Sequence, residues 1–91
     1  MIKIRRLIWD EWNEDHAVKH GVSQEEIEEV CFTKHFDIKS GQGKIAVWGQ
    51  SSVGRYVIII LGKEEYDGFY PISARDMEEK EKRFYKKWLK R

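Results

Sequence analysis

Three hydrogen-bonding side chains near the N-terminus, Asn13, His16 and His20, fall at i, i+3 and i+7, a spacing that stacks them on one helical face. Imidazoles titrate near neutrality, so His16 and His20 suit general acid–base work, taking a proton from one oxygen and delivering it to another. Arg75 stands farther on, between the strand-like stretch Pro71-Ile72-Ser73-Ala74 and a helical tail. Helix-terminal N–H groups and a planar guanidinium at such a junction favour a phosphate. Glu81 lies about a turn and a half along that tail. It is placed to pair with Arg75, either as a tie between helix and sheet or as a device that aims the guanidinium. Arg55 opens the most apolar strand of the chain just after a glycine turn, and with Arg75 and His20 makes a phosphate-handling set.

Other chemistries have less support. His16 and His20 have the i,i+4 spacing of a zinc-binding pair, but Ala17-Val18-Lys19 between them lacks a metalloprotease glutamate. No third ligand is evident in sequence, and neither a metal nor a cofactor is expected. P-loop, Rossmann, nucleophile-elbow and paired-cysteine zinc patterns are all missing. A plainer reading of the histidines has them packed on Trp12 or on a loop. Tyr85 reads most simply as a buried hydroxyl with a partner. Lys86, Lys87, Lys90 and Arg91 either offset the helix dipole or touch RNA or a partner protein.

Ninety-one residues make one small domain, spanning 1–91, that buries roughly 60–65% of its unfolded surface. A hydrophobic fraction of 41% with four tryptophans argues for a packed globule. The net charge of +1, from 36% charged residues, is not that of a strongly basic nucleic-acid binder, yet leaves room for a local basic face. The single cysteine, Cys31, reads as a buried thiol, and a bridge-free small chain fits a reducing cytosol. Neither a secretory leader nor the ~20 apolar residues of a membrane span is expected.

The elements follow from periodicity and punctuation. Residues 2–9 read as a first strand, and Asp10 caps a helix running to about His20, closed by Gly21. Ser23 and Glu26 form a capping box that opens a second helix to about Phe32, with Ile27, Val30 and Cys31 as its apolar face. A short strand near His35–Ile38 precedes Lys44–Trp48. Arg55–Leu61 is apolar on both faces, as a covered central strand must be. Phe69–Ser73 returns as a strand whose Pro71 belongs at an edge or bulge. A helix from Asp76 to about Lys90 carries a stripe of Met77, Phe84, Tyr85 and Trp88, interrupted by Glu81. The expected class is α+β: a small antiparallel sheet of about four strands, packed with two N-terminal helices and one C-terminal helix.

Several separated motifs then occur in order: Trp9-Asp10, Asn13-x-x-His16-x-x-x-His20-Gly21-Val22-Ser23-x-Glu25-Glu26, Gly49, Gly54-Arg55, and Ile72-Ser73-Ala74-Arg75-Asp76-Met77 with Glu81 and Tyr85. In this the chain resembles the BrnT-type toxins of type II toxin–antitoxin pairs, from about Ile8 to Tyr85. Lys44-Ile45 stands where Arg-Tyr is common, and the Trp-to-His spacing is shorter, as in a side branch. The resemblance implies a RelE-like fold and metal-independent ribonuclease activity. It also implies a ribbon-helix-helix antitoxin partner, with DNA reached only through that antitoxin; a homodimer stays open. His20 and His16 would share the acid–base work, Arg55 and Arg75 would hold the phosphate and Glu81 would orient Arg75. Asn13, Lys44 and Tyr85 would bind substrate. The rival expectation is a non-catalytic module of the same fold that binds a protein or RNA, with Asn13, His16 and His20 as a brace. One geometric expectation follows from antiparallel pairing. Arg55 and Arg75 reach the same end of the sheet, Arg75 pairs with Glu81, and Arg55 faces a groove shared with His20.

Overall fold

The computed structural model describes residues 2–64 and 66–90. Five strands and three helices follow one another along the described residues: β1 (Arg6–Leu7), α1 (Glu11–His16), α2 (Gln24–Phe32), β2 (Phe36–Gly41), β3 (Lys44–Gln50), β4 (Tyr56–Lys63), β5 (Gly68–Asp76) and α3 (Glu79–Leu89). The sheet order is β1-β5-β4-β3-β2. Strands β2 to β5 pair antiparallel, and β1 joins β5 in parallel. The sheet is thus mixed and five-stranded rather than antiparallel with about four. The expected first strand over residues 2–9 shrinks to two residues, because only Arg6 and Leu7 meet Gly68 and Phe69.

β4 is the central strand, as its double-sided apolar run requires. Val57, Ile59 and Leu61 join Ile27, Val30 and Cys31 of α2 and Val22 in one core. Ile58 turns to the opposite face and joins Ala46, Met77 and Tyr85 under α3. Gly49 lets α2 approach β3: a Cβ added there would sit 2.5 Å from a Val30 methyl. Pro71 lies at a bulge, where Ile60 pairs Ser73 but Leu61 pairs Pro71, leaving Ile72 extra. Cys31 is buried, and burial pushes its thiol up to about 12.

Both N-terminal helices are set by reciprocal caps. Asp10 and Asn13 form one box, Ser23 and Glu26 the other. α1 stops at His16, short of the expected His20, and the chain turns through residues 17–20 to Gly21 at φ +88°. β5 continues to Asp76, so α3 begins at Glu79 rather than Asp76. Arg75 and Asp76 are therefore strand residues, and strand alternation sends their side chains to opposite faces.

Candidate functional site

The end of the sheet where β4 begins and β5 finishes collects most of the charged candidates. Val57 pairs Asp76 and Ile58 pairs Arg75. Asp76 therefore shares a face with the α1 and α2 side, while Arg75 lies on the α3 side. Arg55, two residues before Val57, falls on the Asp76 side. The two guanidiniums reach the same end, as expected, but on opposite faces of the sheet.

Arg55 is almost fully engaged. Its Nε donates to Asp76 Oδ1 at 2.6 Å and its Nη2 to Asp76 Oδ2 at 3.1 Å. Its Nη1 donates to the Gly21 carbonyl at 2.7 Å and to Glu26 Oε1 at 3.4 Å. A guanidinium has five N–H donors, so one remains. Hydrogen bonding to Arg55 holds the Asp76 carboxyl below its usual range, and the same bond raises Arg55 further. The expected open groove is replaced by this clamp, which ties the α1–α2 turn to β4 and β5. His20 is exposed on that turn, one residue before the gripped Gly21 carbonyl, so it shares an end and a face with Arg55.

Arg75 pairs with Glu81 as expected. Nη1 and Nη2 donate to the two carboxylate oxygens at 2.8 and 2.9 Å, and Nη1 also reaches the Asp76 carbonyl at 3.1 Å. Glu81 also accepts the Glu78 N–H at 2.8 Å, closing the capping box of α3. The Arg75 bond, followed by that N–H, holds the Glu81 carboxyl at about 2. The Arg75 side chain is 50% exposed and keeps two N–H groups unspent, at Nε and Nη2.

The histidine stripe is dispersed. Asn13 is fully buried: its Oδ1 accepts the Asp10 N–H at 2.7 Å, and its Nδ2 donates to the Ile8 carbonyl at 2.8 Å. It holds the chain entry to α1 and cannot reach a substrate. His16 stacks on Trp12 with ring centroids 4.0 Å apart and planes at 8°. Its Nδ1 lies 3.0 Å from the Trp12 carbonyl. A carbonyl only accepts, so Nδ1 carries the hydrogen and the neutral ring presents its lone pair at Nε2. Trp12 also stacks near Tyr70, whose hydroxyl donates to Asp10 at 2.9 Å. The Asn13 N–H and then this hydroxyl lower the Asp10 carboxyl. With α1 ended at His16, the zinc-like spacing does not place the two imidazoles on one helix face. No group of three metal-ligating side chains forms among the described residues.

Two further expected substrate contacts, Tyr85 and Lys44, lie away from the Arg55 rim. Tyr85 is buried beneath α3, 6.1 Å from Tyr56 and 5.7 Å from Trp88 between ring centroids, and burial raises its hydroxyl. Lys44 pairs Gly62, six residues along β3 from Gln50, and so lies about 20 Å from the Arg55 end. Asp76 and Tyr70 were not singled out from sequence, and Glu26 was read as a cap and not as a partner of Arg55. His16 on Trp12 is the plainer reading of the histidines, and the i,i+4 spacing of the two rings is its signal, since such rings meet on a helix.

The geometry defines a small α+β protein with a charged rim at one end of its sheet and a stacked aromatic group beside α1. Compared with known proteins, the chain matches no family model and no curated relative.

Proposed function

We propose that the chain is a BrnT-type, RelE-like toxin of a type II toxin–antitoxin pair, working in the cytoplasm as a metal-independent endoribonuclease. The observation that carries this reading is the position of Arg75 at the head of a basic helix. Elements α1 and α2 hold seven carboxylates (Glu11, Glu14, Asp15, Glu25, Glu26, Glu28, Glu29) and no lysine or arginine. α3 reverses the balance with Lys80, Lys82, Arg83, Lys86 and Lys87 against Glu79 and Glu81. A polyanion is drawn to the α3 side, where Arg75 has two donors to spare.

In this reading Arg75, positioned by Glu81, holds an RNA backbone phosphate on the α3 face, while the scissile phosphate lies at the Arg55 rim, on the face that Arg55 shares with His20. An imidazole removes the proton of the 2′-hydroxyl, whose oxygen attacks phosphorus, and an acid protonates the departing 5′-oxygen. The products are a 2′,3′-cyclic phosphate and a free 5′-hydroxyl. His20, unengaged and exposed on the Arg55-anchored turn, takes the proton-transfer role. His16, with its lone pair at Nε2, is the second imidazole. The partner is a ribbon-helix-helix antitoxin that alone contacts DNA.

One observation favours the second reading, a non-catalytic module that binds RNA or a protein: four of the five Arg55 donors are spent inside the protein. Replacing His20 by Gln separates the two. Unchanged thermal stability with lost RNA cleavage and lost toxicity supports the ribonuclease. No RNA cleavage by the unaltered protein, with stability again unmoved by the change, supports the module.

A further inference from the structure

The hairpin end of the sheet, opposite the Arg55 rim, contains a cavity of about 540 Å³ that none of the proposed chemistry uses. Its floor is apolar: Ile45 and Phe69 from the sheet and Ile2 from the N-terminal segment. Lys39, Lys44 and Lys63 also line it; Lys39 and Lys63 lie on the same face as Ile45 and Phe69, while strand alternation sends the Lys44 side chain to the other face. None of these three lysines forms an ion pair among the described residues, whereas Arg55 and Arg75 at the far end are both clamped by carboxylates. Asp67 stands with Lys63 and Arg5 in the adjoining hollow. The hairpin over residues 41–43 forms the lip, with Gly41, Gln42 and Gly43 all at positive φ. A Cβ added at Gly41 or Gly43 would meet nothing within 4 Å, so the lip opens to solvent. The Lys63 N–H donates to the Gly43 carbonyl at 3.3 Å, fixing the lip to β4.

Ligand sites of this size are concave, mainly apolar and supplied with a few charged groups that fix orientation. Two lysines, Lys39 and Lys63, share the cavity's face with Ile45 and Phe69, and an anion there offsets their like charges. We infer that this cavity binds a small amphiphilic anion, with an aliphatic or aromatic body on Ile2, Ile45 and Phe69 and a carboxylate or phosphate monoester at the lysines. The site is independent of RNA cleavage.

Amide NMR titration of the whole protein tests it, with octanoate and octyl phosphate as probes and acetate and octanol as single-feature controls. Octanoate or octyl phosphate is expected to shift the amides of Gly41, Gln42, Gly43 and Lys63 saturably, with a Kd on the order of 1 mM or tighter. Tighter binding by one of the two probes identifies the head group. Acetate and octanol should each bind at least about tenfold more weakly, since each lacks one half of the recognition. The paired change Lys39→Glu and Lys63→Glu should weaken the anionic probes about tenfold or more while the melting temperature holds. Where that pair fails to fold, Lys39→Gln alone gives the same readout. Absence of a saturable shift at the hairpin amides overturns the inference. So does octanol binding as well as octanoate, or a lysine variant binding as well as the unaltered protein.

Discussion

Asn13 and Glu81 show how much a single side chain's meaning depends on its partners. Asn13 faces inward because the third position of a capping box must reach back to the cap, so a spacing that resembled a catalytic stripe is a structural tie. Asn13→Ala leaves the Ile8 carbonyl and the Asp10 N–H without that partner. The expected cost is about 1–3 kcal/mol, read as a fall in melting temperature. Asn13→Asp should cost more at neutral pH, because a carboxylate oxygen would then face the Ile8 carbonyl. Glu81 makes an opposite, pH-dependent prediction. Its carboxyl sits at about 2 in the folded protein against an ordinary 4.5. The unfolded chain therefore takes up the proton first, and the contribution of Glu81 is whole above 4.5 and lost as pH falls toward 2. Between those values the melting temperature of Glu81→Gln should fall less steeply than that of the unaltered protein. Parallel slopes would refute the pairing. The Arg75–Glu81 pair was legible because six residues of local chain bring the two together. The Arg55–Asp76 clamp was not, since it depends on the pairing register of two strands and on which face each residue takes.

At the scale of elements, helix starts were legible and helix ends less so. Asp10 and Ser23 announce their caps in sequence, but nothing in Ala17-Val18-Lys19-His20 announces that α1 stops after six residues. It stops because Ala17 and Val22 are drawn into the core shared with α2, leaving His20 on the connecting turn. The short β1 was missed as a parallel partner because two residues carry no periodicity to read. β4 was plain, as five consecutive apolar residues leave few alternatives to a covered strand. The α2–β3 contact gives the sharpest test of this packing. Gly49→Ala places a methyl 2.5 Å from Val30 Cγ1 and should destabilise by about 1–3 kcal/mol. Pairing it with Val30→Ala should cost less than the sum of the two single changes, because the deleted methyls make room. Strict additivity in chemical denaturation would place the strain elsewhere.

Across the whole molecule, a net charge of +1 conceals segregation: carboxylates on α1 and α2, ammonium and guanidinium groups on α3 and at the hairpin end. Composition averages that separation away, and only the fold makes it visible. Joint replacement of Lys80, Arg83 and Lys87 by Gln should weaken RNA binding. The slope of log affinity against log salt should also shrink by about 2, near 0.7 for each cation removed from a single strand. An unchanged slope would mean that the strand does not follow α3. The ribonuclease reading itself is tested most directly by incubating purified, antitoxin-free protein with diverse RNAs at neutral pH in EDTA. The expected result is fragments ending in 2′,3′-cyclic phosphate, with cleavage weakened by Arg75→Ala and abolished by His20→Gln in variants that remain folded. RNA left intact by the unaltered protein, or cleavage that survives both substitutions, would contradict it.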